Sequence, residues 1–191
     1  MPNTRKTNRD YRSREFLHPE ELKELLEAVY VRGRHQHRDY TLVLLMYRHG
    51  LRVTEAVTLR WDAISFKSKT IWVERLKGSD SSLHPLQDDE VEALTELKRI
   101  QSDSVWLFPS ERGNHISTDA VRKLLNRASE IADINVKVHP HMLRHACGYA
   151  MANKGYSTRK MQDYLGHRNI SHTEKYTKLN ANRFDDLTWD V

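Results

Sequence analysis

The sequence predicts a mixed α+β domain, mainly helical, with one small three-stranded antiparallel sheet. Three observations predict it. Apolar residues recur at helical spacing from Leu22 to Val29 and again through most of the chain after Asp88. Between Ala63 and His84 the period changes to that of short strands separated by polar turns. No internal repeat, low-complexity block or linker divides the chain, and 191 residues are enough for one core without cross-links.

Residues 1–17 carry Arg5, Lys6, Arg9, Arg12 and Arg14 and read as a flexible basic arm, with a plain solvated tail as the equal alternative. Residues 18–180 form the domain, and 181–191 a C-terminal tail. Structure starts near His18, Pro19, Glu20 and Glu21, and Leu22, Leu25, Leu26 and Val29 mark the first helix. The second covers 38–48, apolar nearly all round at its centre and so buried, with Gly50 placed to end it. A short helix follows at 53–59. Strands are expected at 63–66, 70–73 and 82–84, with turns at 67–69 and 78–80. Helices are then expected at 88–99, 117–132, 140–154, 157–165 and 171–178. Ser117 caps the second of these, and Asp119 sits favourably in its first turn.

Lys and Arg number 31 against 26 Asp and Glu, a net charge of +5, with a pI of about 9.3. A basic balance suits a polyanionic partner, because neutralised phosphates release condensed counterions; many soluble proteins carry as much. Cys147 is the one cysteine, so no intrachain disulfide forms, which fits a reducing compartment. No apolar run approaches the ~20 residues of a membrane span. The basic N-terminus has no apolar stretch behind it, so it is not a secretory signal. The expected location is the cytoplasm, at the nucleoid.

Four segments carry candidate chemistry. Arg52 follows the helix-ending Gly50 directly; its plain reading is an ion pair with Glu55 along one helix face. His141 and Arg144 are three residues apart on one face, near a helix start that favours anions. A phosphate oxygen there would meet a planar guanidinium fork and an imidazole donor. His141 and His145 also have the spacing of paired zinc ligands, but no Glu lies between them as in HExxH and no cysteine partners accompany them. His167 sits on a turn after Gly166, where a surface histidine is the plain reading. Tyr176 lies in a basic, polar stretch, and a lone tyrosine is usually packing.

Taken in order, Gly50-Leu51-Arg52, His139-Pro140-His141-Met142-Leu143-Arg144-His145, Leu165-Gly166-His167 and Tyr176, nine residues after that histidine, resemble the signature of the tyrosine recombinases, the phage-integrase family. The resemblance runs from about Asp39 to Leu179. The short length, the stretch from Gln162 to Ile170 and His172-Thr173 look most like the fimbrial phase-switching invertases.

The resemblance implies a tyrosine-recombinase catalytic domain and assigns roles. Arg52 and Arg144 would be the active-site arginines, His141 the motif partner of Arg144, and His167 a further phosphate contact. Tyr176 would be the nucleophile and Lys77, between the second and third strands, the general acid. Arg75 is nearby but is a poor proton donor at neutral pH. The expected chemistry is attack of the Tyr176 phenolate on a DNA phosphodiester, giving a 3′-phosphotyrosyl ester close in energy to the bond it replaces, with no ATP, metal or other cofactor. His141 is expected to accept or relay the tyrosine proton.

The expected partner is double-stranded DNA at paired recombination sites, bound by a homotetramer, with accessory DNA-bending proteins and no membrane. Arg122, Lys123, Asn126 and Arg127 lie on the polar side of the helix at 117–132, either against DNA or as a solvated face. Arg168, with Arg112 and Arg159 on weaker grounds, is a further phosphate-contact candidate. Relatives usually carry an N-terminal clamp domain; only about fifty residues precede Arg52 here, so that domain is expected to be absent or reduced to the arm. Phe184, Leu187 and Trp189 would anchor the tail on a neighbouring protomer or on their own domain. Three rival readings remain open: a DNA-binding regulator without recombination, a type IB topoisomerase, and a zinc-dependent hydrolase on His141 and His145.

Overall fold

The computed structural model describes residues 14–31, 33–75, 79–101 and 103–178. In chain order the elements are α1 (Pro19–Val31), α2 (Gln36–Arg48), α3 (Val53–Val57), a 3-10 turn at Trp61–Ala63, β1 (Ile64–Ser65), β2 (Thr70–Val73), β3 (Ser82–Pro85), α4 (Asp88–Ile100), α5 (Thr118–Ile131), α6 (Pro140–Asn153), α7 (Thr158–Leu165) and α8 (Ser171–Lys178). The expected mainly helical α+β architecture is the one observed.

Helix α2 is the centre of the domain. Leu42, Val43, Leu44, Leu45 and Met46 are all buried, and the helix packs on α1, α4 and α6. Its all-round apolar surface has a partner on each side, as a buried helix requires. Helix α5 covers α1 and α3 through Val121, Leu125 and Ala128. Its start is set by Ser117, whose side chain accepts the Ala120 N–H at 3.1 Å.

The sheet runs β1-β2-β3, antiparallel throughout, with Ile64 opposite Ile71 and Trp72 opposite Leu83. Ile71 and Val73 face the core and Trp72 faces solvent, the alternation of a one-sided sheet. The first strand is shorter than expected at 63–66. Trp61–Ala63 closes instead into a 3-10 turn, the Ala63 N–H reaching the Arg60 carbonyl at 3.1 Å.

Residues 14–17, expected within the arm, pack on the domain. Leu17 is buried, the Phe16 ring lies 4.4 Å from that of Tyr149, and Arg14 pairs with Glu21. Residues 1–13 and the tail at 179–191, with Phe184, Leu187 and Trp189, lie outside the described residues. The irregular stretch before α5 adds Leu107 and Phe108 to the core, pinned by Leu107 N–H to the Leu59 carbonyl at 2.9 Å.

A second, smaller apolar cluster lies between α6, α7 and α8. Cys147, Ala152, Met161, Leu165 and Tyr176 form it. It joins the main core where α2 ends. Gly50 ends that helix with φ +56°, and Leu51 N–H returns to the Met46 carbonyl at 3.0 Å. A Cβ on Gly50 would stand 2.5 Å from Leu165 Cδ2.

Gly50→Ala therefore meets both a left-handed backbone and an occupied space. We expect it to lower the stability of the domain by about 2–4 kcal/mol in urea unfolding; an unchanged midpoint would show that the α2–α7 contact is soft.

Candidate active site

The site is assembled around the end of α2. Arg75, just after β2, is buried and donates through Nη2 to the His49 and Tyr164 carbonyls at 2.9 and 2.8 Å. Its Nη1 donates to the Gly50 carbonyl at 3.2 Å and to Glu55 Oε2 at 2.8 Å. Arg144, on α6, is 4% exposed. Its Nη1 donates to the same Gly50 carbonyl and its Nη2 to the Leu165 carbonyl at 2.6 Å. Two guanidinium groups thus tie the end of α2 to the end of α7. Gly166 completes the junction with φ +66°, and a Cβ there would meet Arg75 Cγ at 2.9 Å.

Glu55 supplies the countercharge. Its carboxylate accepts from the Arg52 N–H at 2.8 Å, Arg52 Nη1 at 2.5 Å and Arg75 Nη1 at 2.8 Å. The expected Arg52–Glu55 pair is present, but Glu55 is itself buried and serves two arginines. Arg52, at the start of α3, is half-buried and also reaches Ser79 Oγ at 3.4 Å. Three guanidinium groups face one carboxylate here, which leaves the site electropositive.

His167 follows Gly166, and its Nδ1 lies 2.8 Å from Thr173 Oγ1. Its ring stacks on that of Tyr176, centroids 6.4 Å apart and planes 18° apart. Tyr176 is 1% exposed. Gly148 of α6 makes room for it, since a Cβ there would stand 2.6 Å from Tyr176 Cζ. Tyr149 meets its ring edge-on at 5.1 Å. The Tyr176 hydroxyl lies 2.9 Å from His145 Nδ1.

That contact departs from expectation. The sequence pattern assigns His141 to accept or relay the tyrosine proton, whereas the structure puts His145 at the hydroxyl. Four residues along a helix exceed one turn's rise, so only one of the two histidines comes level with Tyr176. His141 is exposed near the start of α6, its ring 6.4 Å from that of His145. Among the described residues no group of three His, Cys, Asp or Glu side chains is placed to hold a metal, so the zinc spacing of His141 and His145 finds no further ligand. Lys77 lies outside the described residues.

On α5, Arg122, Lys123 and Arg127 are exposed and Asn126 is half-buried, while Arg122 pairs with Asp119 at 2.5 Å. Arg112, Arg159 and Arg168 are exposed. Behind the arginines runs a buried polar network that sequence reading missed. His49 bridges His84 Nδ1 at 3.1 Å and Glu90 Oε1 at 3.0 Å, and the His84 ring stacks on Tyr164 at 3.8 Å. Tyr164 also donates to the Arg48 carbonyl at 3.0 Å.

Burial governs the protonation states. It lowers Arg144 to about 10, with Arg75 and Arg52 adding repulsion. Burial, then Lys175, holds His145 down at about 3, and burial, then Arg144, does the same to His167. Both histidines are neutral at pH 7. Burial raises the Tyr176 hydroxyl well above an ordinary phenol, against the pull of Arg144. For Glu55 burial pushes upward, but Arg75 and the Arg52 N–H bring the carboxyl below its usual range.

A match to the phage integrase family spans residues 15–183. The chain belongs to that family. The four ordered motifs are therefore membership rather than resemblance, and the enzyme class is tyrosine recombinase. The chain is 42% identical over 190 residues to the type 1 fimbriae regulatory protein FimB of Escherichia coli K12, covering 97% of this chain and 94% of FimB. It is 40% identical over 185 residues to FimE of the same strain, covering 93% and 91%. The fold matches the crystal structure of XerA recombinase with a TM-score of 0.78 at 27% identity, over 90% of this chain. The chain spans 62% of XerA. Among the described residues no helix is long and apolar enough to cross a membrane.

The charge states carry a pH prediction. His145 and His167 have folded pKa values below the ordinary 6.5, so the unfolded chain binds more protons below that pH and stability falls as pH falls. Glu55 titrates below 4.5 in the fold, so its contribution is present above 4.5 and is lost as pH drops through the lower, folded value. Thermal unfolding should therefore show a melting temperature that falls from pH 6.5 downward, less steeply in His167→Gln. A flat profile between pH 6.5 and 5 would contradict the neutral buried histidines.

Proposed function

We propose that the chain is a site-specific DNA recombinase that cleaves and rejoins strands through a 3′-phosphotyrosyl bond at Tyr176. The observation that carries this reading is the placement of Tyr176. A buried phenol, hydrogen-bonded to one histidine and stacked on another, sits in the lobe whose neighbouring helix carries Arg144.

Arg52 and Arg144 bind the non-bridging oxygens of the scissile phosphate, with His167 as a further donor. Arg144 holds two carbonyls and still has N–H groups to offer. His141, at the first turn of α6, adds a donor where an anion is favoured. Lys77 protonates the departing 5′ oxygen. Arg122, Lys123, Asn126, Arg127 and Arg168 contact the DNA backbone or groove.

The likeness to two type 1 fimbriae regulatory proteins, FimB and FimE, supports a target among promoter elements that switch fimbrial or other surface genes by inversion. Four protomers would hold paired sites, with accessory bending proteins and with the tail at 181–191 reaching a neighbour.

The test is cleavage of a nicked duplex from the flank of the chain's own gene, in EDTA, read as a covalent protein–DNA band on a denaturing gel. The wild type should give the band and Tyr176→Phe none, while Arg144→Ala should be slower by about 10²- to 10³-fold. DNA binding without a band in the wild type would favour a non-recombining regulator. Rejoining confined to the same duplex would favour a topoisomerase.

A further inference from the structure

We infer that His145 is the base that takes the Tyr176 proton during cleavage, and that Glu15 orients it. The proposal rests on Tyr176 being the nucleophile. A phenol of pKa ~10 is a weak nucleophile at neutral pH and needs a base within hydrogen-bond reach.

His145 Nδ1 lies 2.9 Å from Tyr176 Oη. His167 stacks on the tyrosine ring, but its Nδ1 is engaged by Thr173. The contact with His145 is built, not incidental. His145 and Gly148 are three residues apart on one face of α6, so the helix that offers the imidazole also opens the space for the phenol ring. Tyr149 closes the edge of that space.

On the other side of the imidazole, His145 Nε2 lies 4.0 Å from Glu15 Oε2. Glu15 is brought there by its neighbours: Phe16 packs on Tyr149, Leu17 enters the core and Arg14 pairs with Glu21. A carboxylate beside Nε2 favours the tautomer with its proton there, which leaves the Nδ1 lone pair for the phenol. A carboxylate, an imidazole and a hydroxyl in line recur in hydrolases for the same reason. Glu15 is largely exposed, so its effect is the smaller one. The other charged or titratable groups facing His145 are Lys175 of α8 and Arg144, His141 and His139 at the start of α6. Burial first, and then these cations, keep the imidazole neutral in the free protein; a bound phosphate offsets the cations and makes the imidazole more basic.

In the forward step the Tyr176 oxygen bonds to phosphorus as its proton passes to His145 Nδ1. The bond from phosphorus to the 5′ oxygen breaks, the electron pair stays on that oxygen, and its new proton comes from the acid on the leaving side. On rejoining, the 5′ hydroxyl attacks phosphorus and gives its proton back to the group that served as the acid, the phosphotyrosyl bond breaks and His145 returns its proton to the phenolate.

The experiment is single-turnover cleavage of the nicked duplex by the full chain, as wild type, His145→Asn, His145→Gln, His145→Ala and Glu15→Gln, with DNA affinity and circular dichroism measured for each. The asparagine and glutamine variants should bind DNA as the wild type does and cleave about 10²- to 10⁴-fold more slowly. Their rates should climb about tenfold per pH unit where the wild-type rate is level, since hydroxide must then remove the proton. Added imidazole should restore cleavage in His145→Ala. A substrate with sulfur in place of the 5′ bridging oxygen, which needs no acid, should leave the defect in place. Glu15→Gln should show a smaller loss of the same kind. Either folded variant cleaving within about threefold of wild type would overturn the proposal. So would slow cleavage with the wild-type pH dependence and no response to imidazole, which would leave His145 a packing role. Absence of the band in the wild type itself would instead overturn the recombinase reading.

Discussion

The carbonyl of Gly50 accepts from two buried guanidinium groups, and the rest of the site depends on that shared acceptor. Arg75 arrives from the strand side and Arg144 from α6. Each also holds a carbonyl at the end of α7. Burying two cations in one place is costly unless their donors are satisfied and their charge is opposed. Backbone carbonyls and Glu55 take the Nη donors, Arg75 Nε is left without a hydrogen bond, and Glu55 opposes part of the charge. Gly50 and Gly166 are required at this junction by backbone conformation and by space alike. Four separate stretches of chain consequently meet within one hydrogen-bonded cluster, and Arg52 stands at its open side.

The other half of the site is apolar. Tyr176 belongs to the small cluster between α6, α7 and α8, so the proposed nucleophile is also a core residue. The same burial that fixes its ring raises the energy of its phenolate. Rigidity and reactivity oppose each other here, and a hydrogen-bonded imidazole at the hydroxyl is the arrangement that reconciles them.

Much of the fold was legible in the sequence, because its elements are bounded by local signals. Ser117 caps α5 as expected, Gly50 ends α2, and the alternation of Thr70–Val73 places Ile71 and Val73 inward. The first strand is shorter than its composition at 63–66 predicts because the Arg60 carbonyl captures Ala63 in a turn. Residues 14–17 looked like arm because their charge outweighs Phe16 and Leu17, which do the packing. At the site, the motif residues Arg52, Arg144, His167 and Tyr176 converge. The poor acidity of an arginine argues against Arg75 as a proton donor but says nothing of its value as a multiple donor to carbonyls. Sequence spacing offers His145 only as a metal ligand beside His141. Its partner lies thirty-one residues away, beyond the reach of any helical spacing. The buried His49–His84–Glu90 network joins three elements and leaves no local trace.

The most direct test of this arrangement is a structure of the chain with nicked DNA and orthovanadate, which mimics the five-coordinate phosphorus of the transition state. The expected result is vanadium bound apically by the Tyr176 oxygen, with equatorial oxygens within hydrogen-bond distance of Arg52, Arg144 and His167, and with His145 still at the tyrosine. Vanadate bound away from Tyr176, or Arg144 released from the Gly50 carbonyl to reach it, would contradict a site assembled in advance around that carbonyl.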